Sequence, residues 1–460
     1  MPNMQGTTLL RNEIEKGIAA SGMTLAEFSV RSGVNRGIFS AILRTDSPKP
    51  ISLNQLEKIG EGLAKPPDWM FECYAEECFF GGKPNRRRVE PFLVRCAELD
   101  RTDCVEAVLE RWMEDPRQLE HVFELAEDLY ARGRKRQSLI FYRRVVRGEK
   151  YHQSQRLAVS QYRLFVAAIG EDNERNLCAA IEFEPFCDKL PDRYRIDGIM
   201  RLYDVYLTLG KINKAEYYAL ELGEFAHRLH KEQTAYFLEK GMYPDLGLVK
   251  PLVVYYGYSY LSMENVQFRK GQLDEALASI QAYADLSWFP NQDDFAHTQI
   301  AKFAQYARQN ETHLKLLIGR EAEETIRRCV GILENDPPET LVSLFFLVKA
   351  ANRHGWDVDG ILDRFEKQFE RALEEEGRYP RNNLLNRYEN VCYQMALYFF
   401  ARNAWDKGHD RLLDGLDVAI AINDRDMFAK CVPLFEKNRL AASEAQLRRY
   451  GELLAKVKTE

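Results

Sequence analysis

The chain has 460 residues, of which 45% are hydrophobic and 29% charged, a balance typical of a globular protein rather than a disordered one. Its 27 glycines and 17 prolines are too few turn-forming residues for an all-β fold. The net charge of −6 excludes a chain that coats nucleic acid over its whole length, because such a chain is basic overall. Helix-forming residues dominate the composition, so we predict an all-α fold.

Targeting signals and cofactor motifs are not recognised in the sequence. Residues Met1–Leu10 have neither the basic start nor the apolar core of a secretory signal, and no apolar run is long enough for a transmembrane helix. The nine cysteines include no CxxC pair, which disfavours zinc-ribbon and thioredoxin-like sites and indicates reduced thiols. We therefore expect a cytoplasmic protein with no membrane contact, no metal site and no cofactor.

Residues 24–33 are predicted to form a short capped helix. Thr24 can cap its N-terminus, with Glu27 three residues later completing a capping box. Leu25, Phe28 and Val30 are expected to face the core of the N-terminal segment.

A tight turn and a third helix follow. Gly33 stands at the position after the helix where a left-handed residue is favoured, and Asn35 can cap the next helix. A fourth helix is predicted to begin after Ser52. The apolar residues of the third helix are Ile38, Phe39 and Ile42.

This succession of helices resembles the helix-turn-helix of the XRE/Cro/lambda-repressor class, on the segments 24–28, 31–36 and 38–42. The resemblance implies that residues 1–66 form a DNA-binding domain whose third helix enters the major groove. Its alternative is a helical cap that has lost DNA binding. The implied contacts to bases are Asn35, Arg36, Gly37 and Ser40, and the implied contacts to phosphates are Thr24, Arg44 and Lys49.

The next segment, residues 67–88, is predicted to be a short helix and a linker. The prolines at 66 and 67 break the chain, and Asp68 can cap a helix that ends at the glycines 81 and 82. The sequence GGKPNRRR that closes this segment is the most linker-like in the chain.

From Val89 onward the sequence predicts one helix after another. Small and aromatic residues recur at set offsets around turn residues, a degenerate tetratricopeptide pattern. A helix pair of this kind cannot bury its apolar face alone, so neighbouring pairs must stack. Residues 89–460 are therefore predicted to form a TPR-like α-solenoid that binds a peptide and mediates dimerisation. The expected turn residues are Gly133, Gly210, Gly271 and Asn403.

An XRE-type helix-turn-helix followed by degenerate repeats resembles the RRNPP peptide-pheromone receptors. Residues 258–265 are similar to a repeat helix of arbitrium-type phage receptors, a family that clamps the peptide backbone with asparagine side chains. The asparagine amide both donates and accepts hydrogen bonds, so it can hold an extended backbone of any sequence. Val254 stands where the family has a basic residue, and Lys250 is the closest substitute. The implied peptide contacts are Asn265 and Ser262, with Lys250, Asn390, Asn352 and Asn386 as further candidates.

The resemblance implies a sequence-specific transcriptional regulator, a homodimer on operator DNA that a short signalling peptide switches, as in quorum sensing or lysis–lysogeny communication. The alternative is a TPR scaffold that binds a partner protein and retains a vestigial helix-turn-helix. Catalysis is not expected and no catalytic residue is assigned, because the chain has no GxSxG, HExxH, Walker A or GxGxxG motif.

Overall fold

The structure, a computed structural model, describes residues 4–44, 46–151, 153–290, 293–374 and 379–457. All regular secondary structure in these ranges is helical, which confirms the all-α prediction. The chain divides into two compact units, Met1–Leu164 and Phe165–Glu460. Its nine cysteines are free thiols.

The described residues of the first unit form nine α-helices, and the division between the units falls within a tenth. These helices are α1 Met4–Ala20, α2 Leu25–Ser32, α3 Arg36–Ile42, α4 Leu53–Gly62, α5 Phe71–Glu77, α6 Arg86–Glu98, α7 Thr102–Trp112, α8 Leu119–Ala131, α9 Lys135–Gly148 and α10 Gln155–Ala168.

Helices α2 and α3 are joined by three residues, and their predicted ends are confirmed. Thr24 and Glu27 form the reciprocal capping box at the start of α2. Gly33 follows α2 in the left-handed conformation, with φ of 67°. The side chain of Asn35 caps α3 by accepting a hydrogen bond from the N–H of Gly37 at 2.7 Å.

The predicted inner face of α2 is wrong in part. Phe28 is buried, but Val30 is 86% exposed and Leu25 is also exposed. The buried face consists of Phe28 and Ser32, which are four residues apart. Val30 is two residues from Phe28 and therefore lies on the opposite side of the helix.

A buried ion pair joins α1 to α5. Arg11 is 7% exposed and pairs with Glu77, which is fully buried. The same guanidinium donates hydrogen bonds to the carbonyls of Ile42 at 2.8 Å and Lys49 at 2.9 Å. The second carboxylate oxygen of Glu77 accepts the N–H of Ile51 at 3.0 Å. The pair thereby holds the chain between α3 and α4 against α1 and α5.

The segment predicted as a helix and linker, residues 67–88, is packed into the first unit. Phe71 and Tyr74 of α5 are buried, and their ring centres lie 5.2 and 5.0 Å from that of Phe92 in α6. Asn85 caps α6, so that the three arginines after it form the first turn of this helix. The burial of these aromatic residues makes α5 part of the core of the first unit.

The second unit is a succession of helices with solenoid-like packing. These helices are α11 Asn173–Phe183, α12 Asp192–Thr208, α13 Ile212–Lys240, α14 Leu252–Arg269, α15 Leu273–Tyr283, α16 Asp294–Ile318, α17 Ala322–Asn335, α18 Thr340–His354, α19 Asp359–Arg371, α20 Arg381–Ala401, α21 Trp405–Ala421, α22 Arg425–Asn438 and α23 Glu444–Lys456.

Alternate helices of this unit form an inner row. Helices α12, α14, α16, α18, α20 and α22 each pack against the next member of this set as well as against their chain neighbours. The intervening helices α13, α15, α17 and α19 have at most marginal contacts with one another. Helices that approach more closely lie on the inside of a curved stack, so the inner row forms its concave side from α12 to α20; at the C-terminal end α21 also packs against α23.

The predicted turns between helices are confirmed. Gly133 joins α8 to α9, Gly210 joins α12 to α13, and Gly271 joins α14 to α15, each with a φ between 65° and 80°. Asn403 takes the same left-handed conformation between α20 and α21, with φ of 60°.

The first helix of the second unit contacts its later helices. The N–H of Asn173 donates to the carbonyl of Ile422 at 2.8 Å, and its side-chain amide donates to Asn386 at 3.0 Å. Asn423 donates to the carboxylate of Asp172 at 2.7 Å. The start of the second unit therefore contacts its C-terminal part. The two side-chain contacts join residues that are separated by 213 and by 251 positions in the sequence.

Candidate functional site

The candidate DNA-binding residues lie at or near α2 and α3, on the surface of the first unit. Within the described part of the chain, the side chains of Arg36, Arg44 and Lys49 form no ion pair. They are therefore available to an anionic partner. All the residues predicted to contact DNA are exposed: Thr24, Asn35, Arg36, Gly37, Ser40, Arg44 and Lys49.

Several of these residues also have roles in their own helices. Asn35 is occupied as the cap of α3, and the hydroxyl of Ser40 donates to the carbonyl of Arg36 at 3.3 Å. The hydroxyl of Thr24 donates to Glu27 at 2.9 Å, and hydrogen bonds from Thr24 lower the pKa of that carboxyl. A phosphate at Thr24 would meet this carboxylate, so Thr24 is the least favourable of the predicted phosphate contacts.

The backbone that carries Lys49 is fixed from two sides. Its N–H donates to the carbonyl of Ala41 in α3 at 2.9 Å, and its carbonyl accepts the hydrogen bond from Arg11 described above. The buried ion pair of Arg11 thus positions a predicted phosphate contact relative to α3.

The candidate peptide residues, except Lys250, lie on helices of the inner row. Asn265 in α14 is half-buried, and its amide donates to the carbonyl of Leu261 at 2.9 Å, within its own helix. Ser262 is fully buried, and its hydroxyl donates to the carbonyl of Tyr258 at 2.7 Å. Asn265 can therefore present its amide oxygen to a ligand, whereas Ser262 has a role in the helix packing.

The other asparagines differ in what they contact. Asn386 is buried and hydrogen-bonded to Asn173, so it belongs to the contact between the start of the second unit and its C-terminal part. Asn390 is half-buried and donates to the carbonyl of Asn386 at 2.6 Å, again within its helix. Asn352 in α18 is exposed and donates to the carbonyl of Gln394 at 3.0 Å. Asn390 thus resembles Asn265 in its environment.

Lys250 precedes α14 and faces acidic residues. Burial lowers the pKa of its ammonium, while Asp197 and Asp204 oppose that shift. Burial raises the pKa of Asp204 to about 6, although this carboxylate accepts a hydrogen bond from Tyr258. Because carboxylates already face Lys250, it is poorly placed to bind a peptide carboxylate. Lys250 also lines a cleft of about 430 Å³, formed by residues 243–253.

A polar cluster that the sequence did not reveal links three helices. Tyr283 in α15 donates to the carboxyl of Glu264 at 2.5 Å, and Asn310 in α16 donates to the same oxygen at 3.1 Å. Burial raises the pKa of Glu264 to about 7. Glu264 precedes Asn265 in a polar stretch, so nothing in the sequence distinguishes it from a surface charge.

A buried histidine joins two further helices of the inner row. His313 in α16 lies 3.0 Å from the hydroxyl of Ser343 in α18, and its ring stacks on Phe346 with the centres 4.9 Å apart. Burial lowers the pKa of His313 to about 3, so its ring is neutral at physiological pH. Its role is therefore structural packing.

Among the described residues, no group of three or more His, Cys, Asp or Glu side chains is arranged to hold a metal ion. No helix in these ranges combines the length and the apolar character that crossing a membrane requires. No protein-family model matches the chain, and searches of curated proteins and of solved structures find no similar protein.

Proposed function

We propose that this protein is a cytoplasmic DNA-binding transcriptional regulator whose second unit binds a short signalling peptide. The observation that carries the proposal is the exposed start of α3, where Arg36 stands without an ion-pair partner in the described chain. The preceding helix is joined to α3 by three residues, and the chain between α3 and α4 is fixed by buried Arg11.

The proposed DNA contact places the start of α3 in the major groove. A guanidinium can donate two hydrogen bonds to guanine, one to O6 and one to N7. This pair of hydrogen bonds favours guanine over another base by about 1–3 kcal/mol. Arg44 and Lys49 follow α3 and are exposed, so they can neutralise phosphates on either side without reading sequence. A homodimer would present two such helices to two half-sites.

The proposed peptide site is the concave side of the inner row. Asn265 in α14 and Asn390 in α20 are half-buried, and the side-chain amide of each donates a hydrogen bond to a carbonyl of its own helix. The amide oxygen is left to accept a hydrogen bond from a ligand. Such oxygens can accept hydrogen bonds from an extended backbone. The peptide changes DNA binding only if it prefers one conformation of the protein, because equal affinity for both would shift nothing.

Selection of DNA from a randomised pool by the full-length protein tests the DNA contact. We expect one sequence to be enriched, and we expect Arg36→Ala to weaken binding by about 1–3 kcal/mol and to relax the preference at one base position. Arg44→Ala should weaken binding similarly for all sequences. Lys16→Ala is the matched control, because Lys16 is an exposed cation on α1 outside the proposed contact.

Failure to enrich any sequence would refute the DNA-binding function, as would an Arg36→Ala protein that binds like the control. A partner protein that binds Arg36→Ala and wild type equally would then favour the scaffold alternative. The peptide switch is tested separately, by measuring affinity for the selected DNA with and without a library of short peptides.

A further inference from the structure

Five basic side chains lie on four helices of the inner row, and each interacts electrostatically with at least one of the others. Burial lowers the pKa of Lys349, and the charges of three of the other cations lower it further. Burial also lowers the pKa of Arg269, with a further contribution from Arg387. We call these residues the inner cationic cluster: Arg269 in α14, Lys349 and Arg353 in α18, Arg387 in α20 and Lys430 in α22.

Aromatic rings bring two of these helices together at the cluster. The ring centre of Phe268 in α14 lies 5.0 Å from that of Phe346 in α18. The ammonium of Lys349 is 4.8 Å from the ring centre of Phe268 and 5.2 Å from that of Phe345. Lys349 therefore stands beside an apolar aromatic surface.

None of the five cations forms an ion pair with a carboxylate in the described part of the chain. Several other cations of the unit are paired: Arg411 in α21, for example, contacts both Glu366 and Asp414. Like charges without counter-ions repel, and this repulsion opposes folding. The cations of the inner cationic cluster therefore differ from paired ones such as Arg411 in having no carboxylate within ion-pair distance in the described chain.

Two acidic side chains lie near Lys430, at the α22 end of the cluster. Glu389 is fully buried near Lys430, but burial raises its pKa to about 10, so that this carboxyl is neutral at physiological pH. Asp424 is next to Glu389, and its carboxylate caps α22 by accepting the N–H of Met427 at 2.8 Å. The side chain of Asp424 is therefore occupied as a helix cap.

The cluster can be reached from solvent. Arg269, Arg353 and Lys430 are exposed, and Lys349 and Arg387 are half-buried. Burial nevertheless lowers the pKa of Arg269, because protein lies around part of this exposed side chain. A small ligand can therefore contact several of these cations at once.

We infer that the inner cationic cluster binds a polyanionic small ligand, whose carboxylate or phosphate groups supply the missing counter-ions. The planar guanidinium groups of the three arginines suit such groups because they can form two parallel hydrogen bonds to one anion. Lys349 and Arg353 are four residues apart and therefore lie on one face of α18. Phe268 and Phe345 can contact the apolar part of the ligand.

This inference rests on the proposed function where the ligand is a signalling peptide, since that peptide would then carry acidic side chains besides its terminal carboxylate. The polyanion site itself depends only on the arrangement of the cations. A ligand with carboxylates and a ligand with phosphates would both pair with these cations. The experiment therefore uses one probe of each kind to distinguish them.

Isothermal titration calorimetry of the full-length protein tests the site with a hexaglutamate peptide and, separately, with ATP without magnesium. Hexalysine serves as the control ligand. We expect at least one anionic probe to bind and its affinity to fall with added salt. The double variant Arg269→Gln/Arg387→Gln should bind this probe roughly tenfold to a hundredfold more weakly, the loss expected for charge-assisted hydrogen bonds.

Arg328→Gln is the matched control, because Arg328 is an exposed arginine on α17, outside the inner row, and should leave binding unchanged. Removing unpaired cations relieves repulsion, so the double variant should melt no lower than wild type. A carboxylate ligand is indicated if hexaglutamate alone binds, and a phosphate ligand if ATP alone binds.

The inference is overturned if neither anionic probe binds at millimolar concentration, or if the double variant binds as tightly as Arg328→Gln. Its failure is separable from failure of the proposed function. A neutral peptide that alters DNA binding while no anionic probe binds would refute the inference alone. A polyanion that binds the cluster without changing DNA affinity would refute only its regulatory role.

Discussion

Replacement of Glu77 by alanine tests how strongly the N-terminal helices depend on one buried ion pair. The carboxylate is fully buried and accepts hydrogen bonds from the Arg11 guanidinium and from the N–H of Ile51. Glu77→Ala leaves the guanidinium buried without a counter-ion and the N–H of Ile51 without its acceptor.

The expected loss of stability follows from these two changes. Breaking a buried ion pair by removing one partner costs about 3–5 kcal/mol. The stranded N–H adds to this cost, while Arg11 keeps its hydrogen bonds to the carbonyls of Ile42 and Lys49, which offset part of it. We expect the free energy of unfolding of the first unit to fall by about 3–5 kcal/mol, which corresponds to a Tm decrease of about 6–20 °C for a unit of this size.

Hydrogen exchange measured by mass spectrometry distinguishes this effect from changes in the second unit. We expect faster exchange in the segment around Ile51 in Glu77→Ala and unchanged exchange in α20. The control is Glu72→Ala on the same helix, because Glu72 has a side chain 79% exposed and its pair with Arg101 should contribute less than about 1 kcal/mol.

Equal effects of Glu77→Ala and Glu72→Ala would refute the reasoning, because a buried and an exposed ion pair should not contribute alike. The double variant Arg11→Met/Glu77→Leu provides a second test. It removes both charges together and should recover much of the lost stability, since neither charge is then left unpaired.

Two further predictions concern the second unit. The folded state raises the pKa of Glu264 from 4.5 to about 7, so its protonated form contributes stability that is fully present below about pH 4.5 and lost as the pH rises through 7. Thermal melts across this range should show a larger loss for wild type than for Glu264→Gln, and parallel curves would contradict the assignment. Gly408→Ala should cost about 1–3 kcal/mol, because its new methyl carbon would lie 2.6 Å from the Phe400 ring. Gly331→Ala has open space around the new carbon and should instead stabilise by about 1 kcal/mol, so similar Tm shifts for the two variants would be evidence against this packing.

The local features of the fold were predictable because they depend on neighbouring residues. The capping box of Thr24 and Glu27 and the left-handed turn at Gly210 are encoded within a few positions. The packing of residues 67–88 was less predictable for a related reason. Glycines and prolines there do mark turns, but composition does not show that Phe71 and Tyr74 pack against α6.

The candidate sites were only partly predictable, because they depend on contacts distant in sequence. The exposure of Arg36 follows from its place at the start of a capped helix. Glu77 and Glu264, in contrast, look like surface charges, and their burial comes from partners 66 and 19 to 46 positions away. The inner cationic cluster likewise requires the order of helix packing, which a single sequence does not specify.

The contact between α11 and α20–α22 joins the start of the second unit to its C-terminal part. In an open stack each repeat contacts only its neighbours, so the ends can fray independently. Here Asn173 and Asp172 are bonded to Asn386, Ile422 and Asn423, and forming those bonds requires the intervening chain to be folded first. Deletion of the C-terminal helices would therefore destabilise α11, at the start of the unit, more than the helices in its middle. A ligand that moved the helices of the inner row apart would have to act against these same hydrogen bonds. The contact between α11 and α20–α22 therefore limits how far the concave side can open.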